Sequence, residues 1–271
     1  MTPQNERTGH GGRSQAAGLW CEHTPYNGLG PTEGPRAMIT PSQQQEQTAA
    51  ILTRSVKARQ RVIDHGEVFT PPQLVRDMLD LVHHECERID SRFLEPACGD
   101  GNFLAEVLRR KLLTVDKRNA QNRDKWERDA ILAASSLYGI DLLPDNVAEC
   151  RQRLLDVICD AHLGKFKAPL PDQAASAVAY ILSKNVVQGD ALSFQNSEDQ
   201  PIVFPEWSPV NGNMLKRRDF AYDHLLEQAH VASTPLFSDL GKDVYLPTPV
   251  GEFPPCHYLN VPDAEAALGG S

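Results

Sequence analysis

The six cysteines, Cys21, Cys86, Cys98, Cys150, Cys159 and Cys256, include no C-x-x-C pair and no regular spacing. That argues against a zinc site and against a disulfide framework. Positive charge is also short: 27 Lys and Arg face 36 Asp and Glu, for a net charge of −9. A protein that grips nucleic acid unaided carries a basic surplus, so any DNA contact here needs a local patch. No apolar run is long enough to cross a membrane, and no signal-peptide pattern is visible. We therefore expect a reducing, cytoplasmic setting and no membrane partner. No internal repeat is visible.

What is present is apolar material, 41% of the 271 residues, enough to bury the core of one α/β domain. Residues 1–45 are rich in Gly, Pro, Gln, Thr and Ser without apolar periodicity and read as a disordered leader. A helix with a thin apolar face is expected from about Pro41 through Leu52. The globular domain is expected from Val62 to residue 230, and residues 231–271 read as an irregular, Pro-rich tail.

Within the domain, Pro71 and Pro72 suit a first helical turn, and Leu74, Val75, Met78, Leu79 and Val82 fall on one helical face. A short strand, 92–96, leads through the turn 97–101 into a helix that turns Phe103, Leu104, Val107, Leu108 and Leu112 inward. The charged stretch 114–128 reads as a surface insertion. A helix over 129–136 precedes a second strand, Leu137–Asp141. Pro144 opens another helix, with Val147, Leu154, Leu155 and Ile158 inward. Residues 164–173 read as a loop and 174–183 as a further helix. A third strand, 185–188, runs into Gly189 and Asp190, and a fourth covers 201–204. This alternation predicts an α/β fold: a Rossmann-like, doubly wound, mostly parallel sheet with helices on both faces. Because little sequence follows the fourth strand, the sheet is expected to be cut short at its C-terminal end. Ligands of such sheets bind beyond the carboxyl ends of the strands, where the loops 97–101, 141–143 and 189–191 all fall.

Gly99-Asp100-Gly101 joins a strand to a helix. Glycine there permits positive φ and close backbone approach to a ligand, and the helix amides just beyond can meet a polar group; a plain tight turn uses the same residues. Asp141 ends the next strand, where a carboxylate can accept the hydroxyls of a ribose or simply carry charge at a helix N-terminus. Asp190 ends the third strand, where it can meet an exocyclic amine of an adenine or serve turn chemistry after Gly189.

Taken together, these motifs resemble class I, S-adenosylmethionine-dependent DNA methyltransferases of the adenine-specific type, above all the modification subunits of restriction systems. The resemblance covers residues 62–207. Gly66-Glu-Val-Phe-Thr-Pro-Pro72 is similar to the segment that precedes the core in that family, which implies that Phe69 and Thr70 meet the methionine end of the cofactor. Phe93-Leu-Glu-Pro-Ala-Cys-Gly-Asp-Gly-Asn-Phe103 resembles the first core motif nearly letter for letter. It implies cofactor contacts by Glu95, Pro96, Cys98, Gly99, Asp100, Gly101 and Phe103, with Glu95 on the amino group and Phe103 either on the adenosine or in the core. Tyr138-Gly-Ile-Asp141 resembles the ribose-binding strand end, followed by Leu142. Gln188-Gly-Asp-Ala191 resembles the adenine motif, with Asp190 and Ala191.

The family's catalytic motif is Asn or Asp, then Pro-Pro, then an aromatic residue that stacks on the flipped base. Here the matching stretch is Ile202-Val-Phe-Pro-Glu-Trp207. Pro205, Glu206 and Trp207 are the candidate catalytic residues, but Phe204 stands at the acceptor position and cannot accept a hydrogen bond. The alternative reading is a plain strand entering a hairpin, for which Asn211-Gly212 is a strong turn signal. Lys216-Arg217-Arg218 reads either as a phosphate contact or as a solvated face. The resemblance thus implies an adenine methyltransferase acting on double-stranded DNA within a restriction–modification system, with a specificity or restriction subunit as partner. The degenerate motif leaves open a non-catalytic, cofactor-binding subunit. The core alone also permits RNA, protein or small-molecule substrates.

Overall fold

The structure, a computed structural model, describes residues 70–225 and 248–265. The leader, the helix expected from Pro41, Phe69 and most of the tail lie outside the described residues. Proline starts several of the helices: α1 (Pro72–Asp80) follows Pro71, α5 (Pro144–Phe166) begins on proline, and α6 (Asp172–Asn185) follows Pro171. Its fixed φ and missing N–H cost nothing in a first turn. A short helix α2 (His83–Cys86) leads to strand β1 (Phe93–Glu95). Helix α3 (Asn102–Arg118) starts from Gly101, and α4 (Arg123–Ser135) is capped by Asn122, whose side chain accepts from the Lys125 amide at 2.9 Å. Strands β2 (Leu137–Asp141) and β3 (Val186–Asp190) follow α4 and α6. The stretch 114–128, expected as a surface insertion, is therefore helical except for residues 119–122. Val115 and Trp126 are both fully buried, and the Trp126 indole N–H donates to Asp116 at 2.6 Å. Charge density alone misled because the buried acids are paired: Glu127 with Arg123 and His162, Asp129 with Arg128 and Asn119.

Strands β1, β2 and β3 form a parallel sheet in that order, with Phe93 opposite Leu137 and Asp141 opposite Gln188. The short β4 (Gln195–Asn196) pairs antiparallel with β3. The architecture is mixed α/β, as expected. The residues opposite one another in this register share a face, so Leu137 and Gly139 look one way and Tyr138 and Ile140 the other. The first side meets the helical core, where a Cβ on Gly139 would lie 3.0 Å from Cys98 Sγ and 3.2 Å from Leu104. The second side meets Ile202, Phe204 and Tyr222. A hairpin thus covers the face on which further helices were expected.

That hairpin corrects the expected fourth strand. Strand β5 (Val203–Pro209) pairs antiparallel with β6 (Met214–Ala221) in a second sheet and does not join the parallel one. Pro205 and Pro209 have no N–H to give a central ladder, and Gly212, at φ 59°, turns the chain back as the Asn-Gly pair predicts. The tail is not wholly irregular either. Strands β7 (Gly251–Glu252) and β8 (Cys256–His257) both add to β6, and Tyr258 and Val261, at the start of α7 (Val261–Ala264), enter the main core. On α1 only Val75 and Leu79 are buried; Leu74 and Met78 stay exposed, because α3 covers a single narrow stripe, and Val82, expected on the same helical face, is also exposed and lies beyond the end of α1. No helix among the described residues is long and apolar enough to cross a membrane.

Candidate functional site

The parallel register fixes which side chains meet at the carboxyl ends of the strands. Glu95 lies opposite Gly139, two residues before Asp141, and Asp141 lies opposite Gln188, two residues before Asp190. All three carboxylates therefore share one parity of the pleat and occupy adjacent strand ends, spaced about 4.8 Å per strand across the sheet. The glycine turn stands among them. Gly99 has φ 52° and Gly101 φ 86°, values that L side chains rarely adopt. A Cβ on Gly101 would also lie 2.7 Å from Cys150 Sγ, so glycine is required there for space as well as for conformation.

Asp141 ties the turn to the sheet. Its Oδ2 accepts from the Gly99 amide at 2.9 Å, and its Oδ1 accepts from the Leu143 amide at 2.9 Å and from Asn146 Nδ2 at 3.1 Å. A carboxylate offers roughly four acceptor positions, so about one remains for a ligand hydroxyl. Asp100 is also occupied: Arg153 Nη2 donates to it at 2.7 Å, while Arg153 Nη1 donates to Asn102 Oδ1 at 2.8 Å. Arg153 escaped the sequence reading. It lies on α5, distant in sequence, and only the tertiary fold places it beneath the turn. Helix α3 begins with no side-chain cap and no acid in its first turn, so its leading amides face the same loop.

Glu95 differs from its neighbours. It is half-buried at the end of β1, and desolvation raises its pKa above the ordinary value of 4.5, offset in part by a hydrogen bond from the Ala97 amide. No cation pairs with it among the described residues. Asp190 is half-buried, and the Leu192 amide, donating at 2.9 Å, holds its carboxyl below the usual range. Leu142 is exposed, Ala191 half-buried, and Leu192 89% exposed. Apolar surface therefore lies beside the carboxylates at the ends of β2 and β3. Pro96 is exposed, Phe103 packs partly against the core, and Thr70 is half-buried just ahead of α1. Cys98 is buried beneath the turn; its hydrogen bond to Cys150, together with burial, drives its pKa well up, so the thiol stays protonated.

The structure does not bring the candidate catalytic residues to this rim. Strand β5 descends the opposite face of the sheet. Ile202 lies against Gly189 near the rim, Pro205 against Tyr138, and Trp207 against Asn185 at the far end. The Pro205 carbonyl accepts from the Tyr138 hydroxyl at 2.8 Å. Glu206 pairs with Arg92 and Arg218; burial works to raise its pKa, and the two guanidinium groups outweigh it, leaving the carboxyl below the usual range. Trp207 is buried, its indole N–H donating to Asn185 Oδ1 at 2.8 Å. Each of the three holds the fold together, as the plain-strand reading predicts. The basic run is likewise spent: Lys216 pairs with Glu252, Arg217 with Asp219 and Arg218 with Glu206. No cluster of three or more metal-ligating side chains occurs among the described residues.

Comparison with family models, with curated proteins and with solved structures gives no match.

Proposed function

We propose that this chain is a nucleoside-binding α/β protein of the Rossmann-like kind, with its ligand at the glycine turn. More particularly, we infer that it binds S-adenosylmethionine as the cofactor module of an adenine-specific DNA methyltransferase in a restriction–modification system. The observation that carries the reading is Glu95: a desolvated carboxylate without a cationic partner among the described residues, set beside a positive-φ glycine turn. A ligand that brings its own ammonium group answers that charge. Asp141 offers its remaining acceptor position to a ribose hydroxyl, Asp190 is open to an adenine amine, and exposed Leu142 and Leu192 offer apolar surface to the ring. The motifs from Gly66 to Ala191 supply the family assignment by resemblance.

Two readings of catalysis follow from β5. If the chain transfers methyl groups to double-stranded DNA, the acceptor for the adenine amine must come from residues other than Pro205, Glu206 and Trp207. The bonds that hold these three favour the second reading, a chain that binds the cofactor and acts through a specificity or restriction subunit. Calorimetric titration of the full chain with S-adenosylmethionine tests the binding claim: Glu95→Gln should weaken binding about tenfold or more, the worth of one charge-assisted hydrogen bond. A folded sample without affinity for the cofactor or its demethylated product refutes the proposal. Tritiated-methyl incorporation into duplex DNA then separates the two readings, with Gly99→Asp as the control.

A further inference from the structure

At the opposite end of the parallel sheet from the glycine turn lies a cleft of about 610 Å³, a size typical of small-molecule sites. It reaches the residues that precede β1 and β2, Arg92 and Ser136, and lies between two unlike walls. Helices α3 and α4 supply Arg118, Arg128 and Leu132, while the hairpin and the segment after it supply Trp207, Pro209 and Tyr258. Most of the charge in the cleft is already matched. Arg92 holds Glu206, and Asp90 pairs with Arg88 at 3.4 Å. Arg128 places Nε at 3.0 Å and Nη2 at 2.8 Å on one oxygen of Asp129, whose other oxygen accepts from Asn119 at 2.7 Å. Arg118, at the end of α3, is left with no acid or acceptor among the described residues, and the side chains of Ser208 and Asn213 and the Tyr258 hydroxyl likewise make no hydrogen bond among them. Burial raises the Tyr258 pKa, so its hydroxyl remains a donor.

From this arrangement we propose that the cleft binds a small planar molecule bearing a single anionic group. Its ring system lies against the accessible apolar side chains Leu132, Pro209 and Met214, and its anion meets the guanidinium of Arg118, the one cation of the cleft without a counter-charge among the described residues. The inference does not depend on the cofactor reading, because the two sites occupy opposite ends of the strands. Naphthalene-2-sulfonate and its neutral analogue naphthalene-2-sulfonamide, titrated calorimetrically into the full chain at neutral pH, test it. The sulfonate should bind, one molecule per chain, with a Kd below about 1 mM, and the sulfonamide about tenfold more weakly, equivalent to about 1.4 kcal/mol. Arg118→Gln, a change at an exposed position, should erase that preference while leaving sulfonamide binding unchanged. Saturating S-adenosylhomocysteine should leave both affinities unaltered. Equal affinity for the two probes, a preference that survives Arg118→Gln, displacement by S-adenosylhomocysteine, or no sulfonate binding in the millimolar range would each overturn the proposal.

Discussion

Replacing Lys111 by methionine turns a buried charge into a pH-dependent stability measurement. Lys111 is fully buried on the inner face of α3. Its Nζ donates to the Ile89 carbonyl at 3.2 Å, to the Ser91 carbonyl and to Ser136 Oγ at 2.5 Å. Desolvation pushes its pKa down to about 7, whereas an unfolded lysine titrates near 10.4. Between those values the unfolded chain binds the extra proton, so stability rises with pH across that window. The cost of burying the ammonium is complete below about pH 7 and disappears as pH approaches about 10. At about 1.4 kcal/mol per pH unit, and with the group half-protonated at the start, wild type should gain about 2 kcal/mol over Lys111→Met between pH 7 and pH 9. Urea unfolding of both proteins at several pH values measures the difference directly, and thiols and tyrosines that titrate in both cancel. Methionine removes the ammonium's bonds to the Ile89 and Ser91 carbonyls and to Ser136 Oγ, and of the two carbonyls only Ile89 keeps another donor, the Ser136 hydroxyl, so the variant should be the weaker protein throughout. A difference that stays flat over this range refutes the reasoning. It would mean that the three oxygens keep the ammonium charged inside the fold.

Asn185 donates to the Ser135 and Leu137 carbonyls, each at 3.0 Å, and accepts from Trp207; Asn185→Ala should cost about 3 kcal/mol or more in urea unfolding, because buried partners are left unsatisfied. Gly101→Ala should destabilise by about 1–3 kcal/mol through its positive φ. The added clash with Cys150 should be partly relieved in the double variant with Cys150→Ala, which a double-mutant cycle reads out. Trp126→Ala should cost about 3–5 kcal/mol by cavity formation, measured by the same unfolding assay. If Glu95 receives the amino group of S-adenosylmethionine, affinity should fall on acidification as Glu95 protonates, with a midpoint above the ordinary 4.5. Glu95→Gln should flatten that pH profile, and an unchanged profile would remove Glu95 from the site.

Local signals made much of this fold legible in the sequence. Proline fixed the helix starts at Pro72 and Pro144 because it needs no amide partner there. Strand β2 was bounded as Leu137–Asp141 by its run of apolar residues ending in an acid. Gly212 marked the hairpin, and Gly101 marked a turn whose φ only glycine tolerates at no cost. Asp141 and Asp190 stood out because each closes a predicted strand, and a parallel sheet gathers such ends at one rim; Glu95 was marked only by the resemblance of the motif that contains it. What tertiary structure alone decided concerns partners distant in the chain. The charged stretch 114–128 became helix because Trp126 and Val115 find a core and the buried acids find cations. Strand β5 left the parallel sheet to pack across its face, which carried Pro205, Glu206 and Trp207 away from the rim. Arg153 came to grip Asp100, and the cleft around Arg118 closed between helices and hairpin. Backbone preference and apolar period act within a few residues and can be read along the chain. Charge pairing, strand partnership and cavity shape depend on which distant groups arrive at the same place, and only the folded arrangement specifies that.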